Sequence, residues 1–388
     1  MKRIIALLLC LIMTCLVFTG CSESNLDQFR EDIDEYKDIV LPSDRAEVEL
    51  DLYIICEEGT TENSMQTVES YINSHILSYK TVLDIHYLTI DEYEAKMTAA
   101  AASTDDDRAD IVLIAGKDMF DNLYEENLLA EVTSYYSSNT FGLLNTIISP
   151  TILKSSIITV PVVNGNQQYD SLRYYTVPNN HVIGEYEYVL INKEAARYYN
   201  YSNSDLEAMV TYESTAELRA MLGDRADECV KSVKGTFDDK AYYESLGYLC
   251  NVASYPIGDV EEAFKSAFSI VRHPLDTRYC DPIDKISIES QNAYNAHYDR
   301  CMEIIYALNT DVTLRNLLQY GHVGTNYSYD EESGLVTRYT EGAGVYKMNL
   351  LYTGDVFKAY YCEELGWTEE AYNNGFNQNK EAVLPVKE

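Results

Sequence analysis

Residues 108–136, RADIVLIAGKDMFDNLYEENLLAEVTSYY, hold a strand, a turn and a helix in direct succession. The strand is predicted at 111–115, because a continuous apolar run of this length is typical of a parallel sheet covered on both faces. A turn at 116–118 follows, and an amphipathic helix begins after it. Ligands of such sheets bind at the carboxyl ends of the strands, where helices begin. We therefore expect Lys117 and Asp118 to lie at a ligand-facing edge.

The same alternation of strand and helix precedes this stretch. Residues 48–56 and 82–88 are predicted strands, and the segments 61–79 and 91–101 carry apolar residues at helical spacing. Asp91, with Glu94 three residues later, has the spacing of a helix-capping box. Strands that alternate with helices favour parallel pairing through right-handed crossovers. The fold class predicted from this pattern is α/β.

The N-terminus has the pattern of an export signal. Two basic residues precede the apolar segment 4–18, and small residues lead to Cys21. The apolar segment is shorter than the roughly 20 residues that a membrane-spanning helix needs. The pattern resembles bacterial lipoproteins, which implies a signal peptide at 1–20, a lipid on the Cys21 sulfur and a polar tether at 21–47. The alternative is an uncleaved N-terminal anchor.

Charge and motif content exclude several classes of function. The net charge of −34 over 388 residues should repel nucleic acids and anionic lipids, whereas neutral or cationic ligands stay compatible with it. An acidic surface that keeps the protein in solution explains the same charge. We find no metal-binding spacing, phosphate loop or nucleophile motif, so the sequence predicts no metal, no cofactor and no catalytic residue. The cysteines after Cys21 are either disulfide-bonded or buried free thiols: Cys56, Cys229, Cys250, Cys280, Cys301 and Cys362.

Two phrases carry a resemblance to a known family. They are Ala-Asp-Ile-Val at 109–112 and Leu-Leu-Ala-Glu-Val-Thr at 128–133. The chain resembles the extracellular solute-binding proteins of ABC importers, in particular their carbohydrate-binding branch. Further likeness lies at 174–200 and 262–327. The resemblance implies an α/β, two-lobed periplasmic-binding-protein-like fold with a hinge, an interdomain cleft and a helical C-terminal region.

The resemblance also implies how the chain divides between the lobes. Lobe 1 is expected at 48–180 together with about 275–325, and lobe 2 at about 185–270 together with about 340–388 and its C-terminal helices. The chain would leave the first lobe, pass the cleft and enter the second lobe between these ranges.

Candidate binding residues lie near this crossing. Tyrosine, at 35 residues against one tryptophan, offers a flat apolar face for sugar C–H groups and a hydroxyl for hydrogen bonds. The alternative for these tyrosines is packing in the core. Lys117 and Asp118 would bind hydroxyls or cap a helix. The remaining candidates are the crossing residues Tyr175, Asn179, Asn180, His181, Glu185 and Tyr186, and, by resemblance to the family's Gly-x-x-Tyr exit, Asn326 and Tyr327.

The function implied is that of a receptor without catalysis. The expected protein is a monomer, anchored by lipid outside the cell membrane, which captures a mono- or oligosaccharide and docks on the permease subunits of an ABC importer. Binding would select the closed form by contacting both lobes. Two alternatives are an exported glycosidase-like hydrolase, which needs a pair of carboxylates, and a sensor or adhesion lipoprotein on the same fold.

Overall fold

The structure, a computed structural model, describes residues 45–103, 108–164, 167–202, 204–205, 215–236, 239–252, 256–272 and 288–385. The predicted signal peptide, the tether up to residue 44, the lipidation site Cys21 and Cys280 lie outside these ranges. In the described residues no helix is both long and apolar enough to cross a membrane.

The elements follow one another with these bounds. The strands are β1 (Val48–Ile55), β2 (Thr81–Leu88), β3 (Ile111–Ile114), β4 (Ile158–Asn164), β5 (Gln167–Arg173), β6 (Val177–Pro178), β7 (Tyr186–Asn192), β8 (Val230–Gly235), β9 (Tyr248–Val252), β10 (Ala267–Ile270), β11 (Tyr327–Asp330) and β12 (Leu335–Arg338). The helices are α1 (Glu62–His75), α2 (Ile90–Ala102), α3 (Lys117–Glu125), α4 (Thr133–Tyr136), α5 (Leu144–Ile147), α6 (Pro150–Ser155), α7 (Lys193–Tyr198), α8 (Thr215–Leu222), α9 (Ala226–Cys229), α10 (Asp239–Ser245), α11 (Glu262–Lys265), α12 (Ile288–Thr310), α13 (Val312–Tyr320) and α14 (Glu369–Glu381). Short 3-10 turns lie at Leu77–Tyr79, Gly223–Arg225, Leu350–Thr353, Val356–Lys358 and Glu363–Leu365.

The first sheet has five strands in the order β2-β1-β3-β10-β6. β1 runs parallel to β2 and β3, whereas β10 runs antiparallel to both β3 and β6. All four residues of β3 are fully buried, as the apolar run in the sequence predicts. The predicted parallel pairing is confirmed for β1, β2 and β3. The apolar run at 266–271 predicts a strand that returns to the first lobe, and the structure has β10 there.

The second sheet, β8-β7-β9, is antiparallel and has its own core. Val189 and Ile191 on one face of β7 pack against Leu218, Leu222 and neighbouring buried residues of α7, α8 and α9. Tyr188 on the opposite face packs with residues of β8 and β9. The prediction of an α/β chain with two sheet-centred parts is confirmed.

Apolar residues at helical spacing over 291–321 predict a helical hairpin, and the structure has α12 and α13 there. Asp311 separates the helices and caps α13, because its carboxylate accepts the N–H groups of Thr313 and Leu314 at 2.8 and 3.1 Å. Gly321 ends α13 at a φ of +79°, a conformation that glycine adopts without steric cost.

Three local predictions are wrong. The capping box predicted at Asp91 does not start α2. The helix begins at Ile90, and Thr89 is its N-cap residue. The polar composition of residues 164–171 predicts a turn, but most of this segment belongs to the hairpin β4–β5; Tyr169 and Leu172 are the large apolar residues of its second strand, so the alternation that marks a strand is missing. Residues 345–357, predicted to be helical, are extended with two short 3-10 turns, and Gly354 at a φ of +115° is incompatible with a helix.

The lobe boundaries expected from the sequence stay a prediction for the segment 340–388. Those boundaries assign it to the second lobe. The structure holds its first part against the first sheet, because the N–H of Thr61 donates to Val345 O at 3.0 Å and Gln319 Nε2 donates to Met348 O at 2.8 Å. Thr61 caps α1, which packs on β2, and Gln319 belongs to α13, which packs on α1.

The described cysteines are buried free thiols, which selects one of the two alternatives left open by the sequence: Cys56, Cys229, Cys250, Cys301 and Cys362.

Candidate functional site

The candidate site is built on one edge of the first sheet. Because β10 is antiparallel to both β3 and β6, β6 runs parallel to β3, and the carboxyl ends of β1, β2, β3 and β6 meet at the same edge. Lys117 and Asp118 follow β3, and Asn179, Asn180 and His181 follow β6. The topology therefore brings these five candidates to the carboxyl edge.

A covering segment, residues 343–356, crosses this edge. At the β1 end, the N–H of Glu57 donates to Lys347 O and the N–H of Lys347 donates to Thr60 Oγ1, each at 3.0 Å. At the β6 end, the N–H of Val356 donates to Asn180 O at 2.9 Å. The edge is thus closed over by backbone contacts rather than left fully open.

Asn179 joins β6, β10 and the covering segment. Its N–H donates to Ser266 O at 2.9 Å, and its Nδ2 donates to Ser266 Oγ at 2.9 Å and Leu351 O at 3.5 Å. The side chain is fully buried, and Oδ1 has no hydrogen-bond partner within the protein. A buried amide oxygen without a donor is destabilising, so this enclosed atom is an acceptor site for an ordered water.

Asn180 uses its amide inside the protein. Oδ1 accepts the N–H of Ser149 at 3.2 Å, and Nδ2 donates to Ile147 O at 3.1 Å. The residue therefore fixes the segment between α5 and α6 against the end of β6.

His181 belongs to a buried ionic cluster with α11. Its two ring nitrogens face Asn179 O at 3.0 Å and Glu262 Oε2 at 3.2 Å. Lys265 Nζ lies 3.0 Å from the same carboxylate oxygen, and the N–H of Asp259 donates to Glu262 Oε1 at 2.9 Å. Burial alone raises the pKa of Glu262, but these hydrogen bonds outweigh it and bring the pKa to about 2. The carboxylate is ionised at neutral pH and locks His181 in place.

Lys117 is the most accessible cation of the edge candidates. Gly116, at a φ of +135°, precedes α3, and its N–H donates to Phe264 O at 2.6 Å. The Lys117 ammonium forms an ion pair with Asp121 and lies 5.4 and 5.3 Å from the ring centres of Phe120 and Phe264. The side chain is 26% exposed, so it can donate a hydrogen bond to a ligand without leaving these rings. Asp118 is exposed.

Two chain crossings connect the sheets beside this edge. The backbones of Glu185 and Ile257 exchange two hydrogen bonds, at 3.3 and 3.1 Å. The N–H of Gly258 donates to Val383 O at 2.8 Å, so residue 383 pairs with the segment that contains Ile257. Gly184 has a φ of +70°, and a Cβ there would lie 2.7 Å from the Ile257 carbonyl carbon. The crossing is a narrow ribbon of backbone, of the kind that serves as a hinge.

Helix α14 binds the first of these crossings. Gln378 Nε2 donates to the carbonyls of Ile183 and Gly184 at 2.8 Å. The Tyr186 hydroxyl is hydrogen-bonded to Glu381, and burial followed by this carboxylate raises the pKa of Tyr186. Glu185 is exposed and Tyr186 half-buried, so both predicted residues lie at the crossing.

Three predicted residues do not join the edge. Tyr175 precedes β6 and packs at 4.9 Å against the ring of Tyr124 near the end of α3. Asn326 is fully buried: its Oδ1 accepts the N–H of His322 at 2.9 Å, and its Nδ2 donates to Ser64 Oγ at 3.1 Å. Tyr327 packs with Tyr320 in a core cluster.

The sequence analysis missed the groups that the covering segment brings to the edge. Lys347, Asn349 and Tyr352 are partly exposed there, beside Glu57 of the β1–α1 loop. Burial raises the pKa of Tyr352, so its hydroxyl keeps its proton and can donate a hydrogen bond. The glycines in and around this segment were the available signal against a helix.

Asp355, at the end of the covering segment, predicts a pH effect on stability. Burial raises its pKa to about 6, although Lys358, the N–H of Phe357 and Arg315 act against this. Because the pKa of Asp355 is higher in the folded state than in the unfolded state, the folded state is stabilised when this carboxyl is protonated. This contribution to the free energy of unfolding is fully present below pH about 4 and is lost as the pH rises through about 6.

We expect Asp355→Asn to raise the free energy of unfolding at pH 7.5 relative to wild type, on the order of 1 kcal/mol, and to change it little at pH 4.5. Urea unfolding across this pH range measures the difference. A variant that follows the wild-type profile at a constant offset would contradict the effect.

Comparisons with known proteins complete the description. No family model and no curated protein matches the sequence. The chain is similar to the N-glycan transport solute binding protein from Streptococcus pneumoniae, at 16% identity and a TM-score of 0.49, over 87% of this chain and 83% of that one. It is also similar to an extracellular solute-binding protein family 1 member from Alicyclobacillus acidocaldarius, at 12% identity and a TM-score of 0.39, over 88% of both chains. An ABC substrate-binding protein from Listeria monocytogenes in complex with cycloalternan matches at 9% identity and a TM-score of 0.32, over 88% of both chains. All three are named as solute-binding or substrate-binding proteins.

Proposed function

We propose that the chain is an exported, lipid-anchored receptor that captures a carbohydrate between its two sheets and delivers it to the permease of an ABC importer. The observation that carries the proposal is the meeting of a polar carboxyl edge with a two-chain crossing to a second sheet. A ligand at the edge would contact both sheets at once, and the crossing would let them close on it.

The groups at the edge favour a neutral, hydroxyl-rich ligand. Lys117 and Tyr352 supply donors at the edge, Glu57 supplies a carboxylate there, and Glu185 supplies a second carboxylate at the crossing. Sugar hydroxyls both donate and accept, so they satisfy such a mixed set better than an anion would. The export signal and the net charge of −34 agree with a receptor that meets neutral solutes outside the cell.

A ligand screen tests the proposal. The chain without its signal segment is heated with mono- and oligosaccharides, and with amino acids and peptides in the same screen. A true ligand at 100 times its Kd stabilises the fold by about 2.7 kcal/mol and raises Tm accordingly. A rise in Tm with peptides alone would show that the ligand is a peptide rather than a carbohydrate. Release of product from a glycoside would show that the protein is a hydrolase rather than a receptor.

Lys117→Ala is expected to weaken binding of the sugar found in that screen by roughly tenfold, because a charge-assisted hydrogen bond is worth about 1.5–3 kcal/mol. The matched control is Lys96→Ala, since Lys96 pairs with Glu92 at the same i,i+4 spacing on the exposed face of α2. Calorimetric titration measures both. Equal affinities for the two variants would remove Lys117 from the site.

A further inference from the structure

The pairing register of β1 and β2 brings two carboxylates and an imidazole together. Asp51 on β1 is the direct partner of Asp84 on the parallel strand β2. His86 lies two residues beyond Asp84 and therefore projects from the same face of the sheet. Leu50 and Leu52, which flank Asp51, project from the other face and are buried in the core.

The three side chains converge on one point. His86 Nε2 lies 2.7 Å from Asp51 Oδ1 and 4.0 Å from Asp84 Oδ1. One ligand atom from each side chain lies within 4.8 Å of the others; in the part of the chain that the structure describes, no other trio of His, Cys, Asp or Glu does so. Asp51 is 15% exposed, His86 28% and Asp84 53%, so the cluster is shielded on one side and reachable from solvent on the other.

Neighbouring contacts fix the orientation of these groups. The His86 ring stacks on Tyr53, with ring centres 4.2 Å apart and planes 19° from parallel. The N–H of Asp51 donates to Asp110 Oδ2 at 3.0 Å. Asp110 in turn is held by Arg108 at 3.0 Å and His297 at 2.8 Å. Supporting shells of this kind hold metal ligands in position.

We propose that Asp51, Asp84 and His86 bind a divalent transition-metal ion, with Zn²⁺ the ion they hold most tightly among Mn²⁺, Co²⁺ and Zn²⁺. Two carboxylate oxygens and one imidazole nitrogen are ligands that these ions share; affinity rises from Mn²⁺ to Co²⁺, and three protein ligands with an open position for water are typical of Zn²⁺. The cation would replace the proton in the His86–Asp51 hydrogen bond and neutralise two adjacent carboxylates. Three protein ligands leave a position for water.

The proposed metal site is independent of the carbohydrate proposal. Asp51 and Asp84 each lie four residues before the end of their strand, within the sheet rather than at its carboxyl edge. A bound ion would join β1 to the edge strand β2 and stabilise the first sheet. If no sugar binds, the metal experiment can still be interpreted, and if no metal binds, the sugar screen can still be interpreted.

The test uses the tag-free chain without its signal segment, stripped with a chelator and then dialysed. Zn²⁺ affinity is measured by competition with a chromophoric chelator, and Co²⁺ is added as a spectroscopic probe of the ligand set. One equivalent of Zn²⁺ should bind per chain, and it should raise Tm. His86→Gln and Asp51→Asn should each weaken Zn²⁺ at least tenfold, since even changes outside the ligand set cost 10–100-fold.

The matched control is His75→Gln. His75 Nε2 lies 2.7 Å from Asp311 Oδ2, the same distance as in the proposed site, but this pair has no third ligating side chain among the described residues. Zn²⁺ affinity should be unchanged in this variant. The Tm of each metal-free variant shows that it folds. Binding with no defined stoichiometry, or equal affinity in His86→Gln and wild type, would overturn the proposal.

Discussion

Glu262→Gln is expected to lower the free energy of unfolding at pH 7 by about 3 kcal/mol. The Glu262 carboxylate is fully buried and meets His181 Nε2 at 3.2 Å and Lys265 Nζ at 3.0 Å. The amide of glutamine keeps an acceptor for the N–H of Asp259, but it removes the charge that faces His181 and Lys265. Removing the Glu262 carboxylate is destabilising because His181 stays buried without this acceptor, whereas the Lys265 side chain is 47% exposed and can be hydrated.

The pH dependence of this loss in the free energy of unfolding shows whether the negative charge of Glu262 causes it. The pKa of Glu262 in the folded state is about 2, below its ordinary value of 4.5, although burial by itself would raise it. Stability from a lowered acid pKa is present above pH about 4.5 and is lost as the pH falls through the folded value. The gap between variant and wild type should therefore be full at pH 7 and narrow steadily below pH 4.5.

Urea unfolding at several pH values measures this gap. The control is Glu261→Gln, an exposed neighbour that should change the free energy of unfolding by no more than about 0.5 kcal/mol. A gap that stays constant from pH 7 to pH 3 would assign the loss to packing rather than to the ionised carboxylate.

The fold was predictable from the sequence where the residues of one element are sufficient to identify it. The four apolar residues of β3 can only be a buried strand, and the alternation around them requires crossovers, so the parallel half of the first sheet follows from the sequence. The break at Asp311 was readable for a similar reason, because a capping side chain acts on residues two and three positions away.

The candidate site was predictable only in part, because its walls come from distant segments. Asn179 and His181 were predicted near the crossing between the lobes, but the two-residue strand β6 that brings them to the edge was not predicted. The motif around Asn326 does not show its contacts, since its partners Ser64 and Gly344 lie 262 and 18 positions away in the sequence. The proposed metal site could not be predicted from the sequence for the same reason. Asp51 and His86 are brought together only by the pairing register of β1 and β2.

Arg315→Ala is expected to lower the free energy of unfolding by at least about 4 kcal/mol, because it removes hydrogen bonds from a buried cation worth about 1.5–3 kcal/mol each. The Arg315 guanidinium is fully buried, and burial lowers its pKa to about 10, so it stays charged at neutral pH. Nε donates to Asp355 O and Nη2 to Leu350 O, each at 3.0 Å. Arg315→Lys keeps the charge but cannot span both carbonyls, so an intermediate loss is expected in the same urea unfolding experiment.

Arg315 also links stability to the candidate site, since both carbonyls belong to the covering segment that crosses the carboxyl edge. Arg300 offers a matched control: it is likewise buried and donates to the backbone carbonyls of Lys80 at 3.2 Å and Ala46 at 2.9 Å, but at the amino ends of β1 and β2. Both alanine variants should be destabilised, whereas ligand affinity, measured where each is fully folded, should fall at least about tenfold only for Arg315→Ala. Equal affinity in the two variants would mean that the covering segment supports the fold alone, and the ligand would then have to be held by Lys117 and the crossing without it.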